Sequence, residues 1–383
     1  MLRHFLTIFC IAASLAGIGQ TRLSLLTCYE GDEVWQLEGH SALRVQNDST
    51  DVALNWGTFD FNSPNFVYRF VKGETDYMLS AEPTSDFLWM YQRRNRKVVE
   101  QTLNLSEEEV NKALALIREN MRPENVVYRY KYFHDNCATR PLDIIEKSVS
   151  DTLCLAAPDC EETTLRAVLS RYHRDFPWYQ FGIDLALGSD LDRRMALREH
   201  AFAPVQLEQM LSKATVGASG RPLVGSTQVI LEGNCVVPPT PWYQTPMAAA
   251  VLVLLLVALV TVIDLRRKKL SRWLDCVFYL LLSVGGLILT FLIFVSVHEA
   301  TTLNLNYLWL NPLCLIGVIF IWFKKTARLV VWWQIINFAL ILTYVTCVIC
   351  GIQGSNAAFW PILLADMVRS MTNIYMYRRN VKS

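Results

Sequence analysis

The chain has 383 residues, of which 52% are hydrophobic and 19% are charged, and its formal net charge at pH 7 is +1. This balance gives no reason to expect a nucleic-acid partner, so that class of function is excluded. From Pro246 onward the composition becomes strongly apolar, which indicates that the C-terminal part lies in a membrane.

Residues 1–20 predict a secretory signal peptide. They contain Arg3, an apolar run from Phe5 to Ile18 and a small residue at Gly19. The alternative is an uncleaved N-terminal anchor. In both cases the following segment is exported, so we assign residues 21–243 to an extracytoplasmic domain and 244–383 to a transmembrane domain.

Five apolar stretches of about spanning length follow one another in the transmembrane domain. They lie near residues 245–264, 274–297, 307–323, 329–351 and 356–377. Lys and Arg residues follow the first, third and fifth stretches, whereas the other two connections contain none. The positive-inside rule therefore predicts an exported N-terminal domain and a cytoplasmic C-terminus.

The pattern within the exported part predicts an α+β domain. Apolar residues at Ala42–Val45 and Val52–Trp56 flank a turn-rich segment, which is typical of a strand hairpin that begins near His40. Ser106 and the acidic residues after it predict a capped amphipathic helix that ends near Asn120. A second helix is predicted after Cys137, and residues 161–215 look mostly helical.

The cysteine count suggests two disulfides and one remaining thiol. Five cysteines lie in the exported part, where the environment is oxidising. We expect Cys154 to pair with Cys160 across a short loop, and Cys28 with Cys235 near the ends of the domain. Cys137 is then left as either a buried, inert thiol or a nucleophile.

The context of Cys137 favours the nucleophile. Asp135 and Asn136 are good helix-capping residues, so Cys137 is expected in the first helical turn, where the helix dipole favours a thiolate. An imidazole would complete its activation. The histidines considered are His40, His134, His173, His200 and His298, and His40 is preferred because a rigid strand could present it to Cys137.

Several long motifs resemble the Lnb-type lipoprotein N-acyltransferase family. They are GHSALRV at Gly39–Val45, NWGTFDF at Asn55–Phe61, PNF at Pro64–Phe66, DNCATR at Asp135–Arg140, PWYQFGIDLALGSDLDR at Pro177–Arg193 and HEATTLNLNYLWLNP at His298–Pro312. The resemblance implies a circularly permuted papain-like domain with a helical extension, followed by a five-helix transmembrane domain. It also implies a multi-pass protein of the bacterial inner membrane, with the catalytic domain facing the periplasm.

The resemblance further implies a two-step acyl transfer with a phospholipid as acyl donor and a diacylated lipoprotein as acceptor. Cys137, assisted by His40, would form a thioester that the lipoprotein α-amine attacks. Asn55 or Asp60 would orient His40. The oxyanion donors would be the Cys137 backbone N–H together with a side chain, for which the candidates are Tyr128, Tyr130 and Asn136.

Four further residues are candidates for substrate binding. Arg44 and Arg140 could bind a phosphate headgroup, although ion pairs within the protein are the commoner use of such residues. His298 and Glu299 lie in the outward loop between the second and third predicted spans, where the headgroups and the lipoprotein cysteine would meet Cys137. No metal and no cofactor is assigned.

Two other classes of function are alternatives to acyl transfer. A membrane-anchored papain-like hydrolase or amidase could use the same cysteine and histidine on cell-wall or lipid amides, but such an enzyme needs at most one membrane anchor. A receptor or channel would be expected to carry charges within the membrane. Asp366 and Arg369 are the one clear pair, and they lie near the end of the last span, where an ion pair or an interface position explains them.

Overall fold

The structure, a computed structural model, describes residues 21–60 and 62–382, so the predicted signal peptide lies outside the described residues. The chain divides into two compact units. The first contains the described residues up to Phe70, together with Glu74–Thr163 and Arg194–Val237, and the second contains Val71–Gly73, Thr164–Arg193 and the residues from Pro238 onward. Segment Thr164–Arg193, which the sequence-based division assigned to the exported domain, therefore belongs to the second unit.

The first unit is built on a seven-stranded antiparallel sheet in the order β10-β5-β1-β2-β3-β4-β6. A small second sheet has the order β7-β8-β9. The strands are β1 (Arg22–Cys28), β2 (His40–Gln46), β3 (Asp51–Thr58), β4 (Asp76–Pro83), β5 (Val98–Leu103), β6 (Val127–Arg129), β7 (Leu153–Cys154), β8 (Thr215–Val216), β9 (Arg221–Pro222) and β10 (Val224–Leu231).

The predicted hairpin is confirmed as β2 and β3. Its turn is held by Asn47, whose side-chain oxygen accepts hydrogen bonds from the backbone N–H of Ser49 at 3.0 Å and of Thr50 at 2.8 Å. Side chains alternate between the two faces of the sheet. Leu43 and Leu54 therefore belong to the larger apolar core, whereas His40 and Asn55 lie on the opposite face.

Five helices of the first unit cover this sheet or flank it. They are α1 (Phe66–Lys72, whose last two residues belong to the second unit), α2 (Thr84–Arg93), α3 (Glu107–Asn120), α4 (Thr139–Ser148) and, after a gap in sequence, α7 (Pro204–Ser212). The predicted cap of α3 is confirmed, because Ser106 and Glu109 form a reciprocal capping box. Leu142 and Ile145 of α4 are buried in the larger core, as the sequence pattern predicts.

The second unit is helical. Its longer helices are α5 (Leu165–Tyr172), α6 (Pro177–Ala186), α8 (Pro246–Arg267), α9 (Arg272–Phe294), α10 (Leu315–Ile319), α11 (Ala327–Ile349) and α12 (Phe359–Lys382). Short 3₁₀ helices lie at Ser189–Asp192, Trp242–Gln244, Glu299–Thr301, Leu305–Leu308, Pro312–Cys314, Phe320–Trp322 and Lys324–Thr326, and the first unit has one at Leu197–Phe202. Arg166 of α5 ties this unit together through ion pairs to Asp184 at 3.1 Å and Asp192 at 2.8 Å.

Within the described chain, four helical segments are long and apolar enough to cross a membrane. They are Pro246–Arg267, Arg272–Phe294, Leu305–Trp322 and Lys324–Ile349. The third is a run of short helices interrupted at Asn311, and it packs closely on Gly286 of α9, where a Cβ would lie 2.5 Å from the Asn311 carbonyl carbon. The fifth predicted span forms α12, which is long enough but is not among the four, since polar and charged residues interrupt its apolar sequence.

Arg369 explains why α12 is less apolar than the other helices. Its guanidinium is fully buried and donates hydrogen bonds to Asp264 of α8 at 3.0 Å and to Asp275 of α9 at 2.9 Å. Asp366 accepts a hydrogen bond from Asn337 of α11 at 2.8 Å. These polar residues therefore connect α12 to three other helices. Their contacts within the protein account for charged residues at this position.

Candidate active site

His40, Asn55 and Cys137 are positioned around one end of the sheet. His40 is the first residue of β2, and Asn55 lies near the end of the neighbouring antiparallel strand β3. Cys137 lies in the turn that leads into α4, two residues before the helix begins. The backbone N–H of Ser41, the residue that follows His40, is close enough to the Cys137 sulfur to lower the pKa of the thiol. The fold thus brings the predicted nucleophile beside the strand that carries the predicted base.

Asn55 links His40 to a carboxylate. The Asn55 amide nitrogen donates a hydrogen bond to Glu82 Oε1 of β4 at 2.9 Å. Because an ionised carboxylate can only accept, the Asn55 side-chain oxygen must face the other way, and it lies 3.1 Å from His40 Nε2. His40 therefore carries its proton on Nε2 when it is neutral, and Nδ1 keeps a free lone pair.

The surroundings of His40 favour its neutral form. The pKa of His40 is lowered to about 4, chiefly by burial and also by the nearby charge of Arg96, while the hydrogen bond that His40 donates to Asn55 acts in the opposite direction. An unperturbed histidine has a pKa of about 6.5. At neutral pH the imidazole is therefore unprotonated on Nδ1 and able to accept a proton.

The Cys137 thiol is neutral as well. Its residue is 9% exposed, and burial raises the pKa of Cys137 above its ordinary value. The pKa is lowered by the backbone N–H groups of Ser41 and Cys137 and by the Tyr130 hydroxyl, but these effects do not reverse that of burial. The expectation that the helix start favours a thiolate is therefore wrong for the resting protein, because Cys137 lies before the first turn of α4 in a desolvated position.

Asn136 shapes the turn that presents Cys137. Its side-chain oxygen accepts hydrogen bonds from the backbone N–H groups of Ala138 at 2.8 Å and Thr139 at 2.9 Å. Its amide nitrogen donates to the carbonyls of Tyr132 at 2.7 Å and Phe202 at 2.8 Å. Both amide hydrogens are thus used within the fold, which leaves none for the oxyanion role that the sequence suggested.

Gly57 keeps the space next to the nucleophile open. Its φ of 101° favours glycine, and a Cβ at this position would lie 3.3 Å from the Tyr130 ring and 3.8 Å from Cys137 Cβ.

The two candidate tyrosines, Tyr128 and Tyr130, differ in their contacts. The hydroxyl of Tyr130 lowers the pKa of the Cys137 thiol, whereas the buried hydroxyl of Tyr128 has no hydrogen-bond partner among the described residues.

The two candidate arginines are engaged in ion pairs. Arg140 pairs with Asp135 at 2.9 Å, and its guanidinium stacks 3.4 Å from the centroid of the Tyr128 ring. Arg44 pairs with Asp51 at 2.6 Å and with Glu100 at 3.0 Å. Both arginines therefore form ion pairs within the protein, which is the commoner use of such residues, and not the alternative of headgroup binding.

The remaining candidates lie elsewhere. Asp60 accepts a hydrogen bond from the backbone N–H of Asn62 at 2.8 Å, so it stabilises a turn, and the contact to His40 is made by Asn55 instead. His298 and Glu299 belong to the second unit, just after α9. Their role in substrate binding stays a prediction.

Neither predicted disulfide is present among the described residues. Cys28, Cys154 and Cys235 all carry free thiols. Cys28 is fully buried in a small apolar cluster with Tyr91 and Phe87, which explains why it does not reach Cys235. The side chain of Cys160 lies 3.8 Å from His200 Nδ1. The cysteine count therefore does not distinguish Cys137 from the other exported cysteines. What distinguishes Cys137 is its position beside Ser41 and Tyr130.

Two residues of this site were missed by the sequence analysis. Glu82 is a single carboxylate in a strand, and only the register of β3 with β4 brings it to Asn55. Ser41 contributes a backbone group, which no sequence pattern reveals. The GHSALRV motif contains Ser41, but it gives no reason to prefer the residue.

Comparison with known proteins covers both parts of the chain. Residues 17–171 match the family model described as the Lnb N-terminal periplasmic domain, and residues 239–380 match the one described as the Lnb transmembrane domain. No curated protein and no solved structure matches the chain.

Proposed function

The chain belongs to the Lnb family, and on this premise we propose that it is a lipoprotein N-acyltransferase that uses Cys137 as its nucleophile. It would move an acyl chain from a membrane phospholipid to the α-amine of a lipoprotein's diacylglyceryl cysteine. The observation that carries the proposal is the arrangement of Cys137, Ser41 and the His40–Asn55–Glu82 hydrogen bonds at one end of the sheet.

In the first step the phospholipid acylates Cys137. His40 Nδ1 takes the thiol proton while the sulfur attacks the ester carbonyl carbon, and the carbonyl oxygen becomes an oxyanion. The C–O bond of the ester then breaks. His40 returns the proton to the leaving alcohol, which departs as a lysophospholipid, and a thioester remains on Cys137.

The resting protonation states support concerted proton transfer in this step. Because burial keeps the pKa of Cys137 high and that of His40 low, the pair rests as thiol and imidazole, without a preformed ion pair. A neutral thiol is a weak nucleophile, so attack requires His40 to remove the proton as the bond forms. The Asn55 oxygen stabilises the imidazolium that results.

Three polar hydrogens around the Cys137 sulfur are the best candidates for stabilising the oxyanion. They are the backbone N–H groups of Ser41 and Cys137 and the hydroxyl of Tyr130. Backbone donors are fixed by the fold, so they need no reorganisation as charge develops. We assign Asn136 to shaping the turn, since its amide is already used.

In the second step the lipoprotein amine attacks the thioester. His40 accepts the amine proton, the C–S bond breaks, and the proton passes to the departing Cys137 sulfur. The products are an N-acylated lipoprotein and the free enzyme. Conversion of a thioester to an amide is favourable, which makes the transfer directional.

The membrane setting agrees with this reaction, since both substrates are lipids or lipid-anchored. The chain is a membrane protein with an N-terminal periplasmic domain and four apolar helical segments. We extend this to a bacterial inner-membrane location with a cytoplasmic C-terminus, a permuted papain-like catalytic domain and α12 as a fifth span. The basic residues after the first and third apolar stretches support that orientation.

Mass spectrometry of a lipoprotein N-terminus tests the proposal. The full-length protein and its Cys137→Ala variant are each produced in cells that lack other N-acylating activity, and one reporter lipoprotein is purified from both. We expect a third acyl chain, linked through an amide, with the wild-type protein and two chains with the variant. A diacylated N-terminus with the wild-type protein, or acyl chains released as free fatty acid, would contradict it.

A further inference from the structure

Five aromatic side chains of the first unit form a continuous row that ends beside Cys137. Successive ring centroids lie 4.3 to 5.9 Å apart, in the order Phe70, Phe66, Phe59, Tyr77 and Tyr130. The last ring, Tyr130, lies next to Cys137, since a Cβ at Gly57 would lie 3.3 Å from the Tyr130 ring and 3.8 Å from Cys137 Cβ. We refer to these five residues as the aromatic row.

The aromatic row runs from the edge of the core to the surface, since Tyr77 and Tyr130 pack against the larger core. Phe70 is 48% exposed, and the other four rings are partly exposed. By contrast, the neighbouring pair Phe87 and Tyr91, which serves as core, is only 1% and 4% exposed. Large apolar rings that stay accessible in a continuous line commonly mark a binding surface.

The outer end of the aromatic row lies on an apolar helix. Helix α1 has no buried residue, and Val67 is 73% exposed while Tyr68 is 54% exposed. Such a surface is unfavourable in water unless another apolar phase covers it. Because the protein has helical segments that can cross a membrane, the lipid bilayer is the apolar phase that could cover this surface.

We propose that the aromatic row is the binding track for the acyl chain of the donor phospholipid. The inference deepens the proposed function and rests on it. A thioester fixes the acyl carbonyl carbon on the Cys137 sulfur, so the chain must extend away from that point. The aromatic row begins there, and the accessible parts of its rings offer apolar contact between Cys137 and Phe70.

The occupant is the donor chain, because the acceptor has a different shape. A lipoprotein N-terminus carries two acyl chains joined through glycerol, and both stay with the acceptor. Moreover, the end of the row meets the sulfur that bonds to the donor carbonyl.

Photo-cross-linking of the full-length protein in phospholipid nanodiscs tests this. One phosphatidylethanolamine carries a diazirine at the terminal methyl end of its acyl chain, and a second carries it next to the carbonyl. We expect the terminal probe to label the peptide that contains Phe66 and Phe70, and the carbonyl-proximal probe to label the peptides of Tyr77 and Tyr130. Labelling confined to 246–349, or labelling that does not depend on probe position, would overturn the inference.

Variants and a second lipid sharpen the test. Phe66→Ala should lower labelling and acylation by a palmitoyl donor about 10-fold relative to an octanoyl donor, which is too short to reach that ring. Trp89→Ala is the matched control, since this exposed ring lies outside the aromatic row and stacks on Arg93 instead. A diacylglyceryl-cysteine peptide with the same probes should not label the row, and if it does, the assignment to the donor is wrong.

The readouts separate this inference from the proposed function. The cross-links report where the chain lies whether or not Cys137 is acylated, and the thioester on Cys137 reports the chemistry. If a thioester forms on Cys137 but no cross-links to the aromatic row are found, the binding track is rejected and the acyl transfer is not. Position-dependent cross-links without a thioester support the track and reject the acyl transfer.

Discussion

The side-chain oxygen of Asn55 lies 3.1 Å from Nε2 of His40, and this contact determines which nitrogen of the imidazole can act as a base. It fixes the proton on Nε2 and leaves Nδ1 unprotonated. Glu82 secures the arrangement from the other side by accepting a hydrogen bond from the Asn55 amide at 2.9 Å. The chemistry proposed for Cys137 therefore depends on two residues that do not contact the sulfur.

The first prediction concerns these two positioning residues. Asn55→Ala should lower kcat by about 100-fold or more with little change in KM, because the general base loses its orientation. Glu82→Ala should have a smaller effect in the same direction, and Glu82→Gln should lose activity as well, because its amide can turn the Asn55 side chain around.

Steady-state kinetics with defined phospholipid and lipoprotein substrates checks this. The control is Thr58→Val, which removes the 2.7 Å hydrogen bond between Thr58 and Ser80 on the same two strands without touching His40. We expect kcat to stay near wild type in the control. Equal losses in the control and in Asn55→Ala would mean that the strands, and not the imidazole, are affected.

The second prediction concerns pH. His40 must be neutral to act as a base, and its pKa is lowered to about 4, so acylation of Cys137 should fall only as the pH drops through about 4. An ordinary histidine would place the fall near pH 6.5. The acylation step is measured alone, without the lipoprotein amine, because that amine titrates too. An acylation rate that falls to half between about pH 7 and 6 would mean that the pKa of His40 is not lowered, which would contradict the prediction.

Much of the fold could be predicted because the governing interactions are local. The hairpin of β2 and β3 follows from alternating residues around the Asn47 turn, and the start of α3 follows from the Ser106 cap. The apolar stretches follow from composition. The site was partly predictable for the same reason, since the motif around Cys137 and the strand after Gly39 could be read directly.

The missed features depend on contacts between residues distant in sequence. Glu82 reaches Asn55 through strand register, and burial determines the pKa of Cys137. The disulfides were predicted from the cysteine count, the oxidising compartment and the positions of the cysteines along the chain, none of which shows that Cys28 is packed inside an apolar cluster. An ion pair was expected for Arg369, but its partners, Asp264 and Asp275, lie on two other helices far away in the sequence.

The third prediction concerns the cysteines. Alkylation of the denatured, unreduced protein followed by peptide mapping should find Cys28, Cys154 and Cys235 as free thiols. In the native protein Cys28 should resist alkylation, since it is fully buried and burial raises the pKa of its thiol to about 12. A Cys154–Cys160 or Cys28–Cys235 bridge in active protein would restore the pairing expected from the sequence.

The fourth prediction concerns the buried ion pairs of α12. Arg369→Ala leaves the carboxylates of Asp264 and Asp275 buried without their cation, which should cost about 3 to 5 kcal/mol of stability. Thermal unfolding in detergent measures the loss. Arg328→Ala is the control, because Arg328 is exposed. Similar melting temperatures for the two variants would show that the ion pairs do not hold α12 in place.

The most direct test of the central claim is the detection of an acyl group on Cys137. Full-length protein is incubated with a phospholipid that has an isotope-labelled acyl chain, in the absence of lipoprotein, and its peptides are mapped by mass spectrometry. We predict one labelled acyl group on the Cys137 peptide, sensitive to hydroxylamine, absent from Cys137→Ala and about 100-fold or more slower to form in His40→Ala. Lipoprotein N-acylation that continues with no acyl group on Cys137, or that survives in Cys137→Ala, would contradict the account.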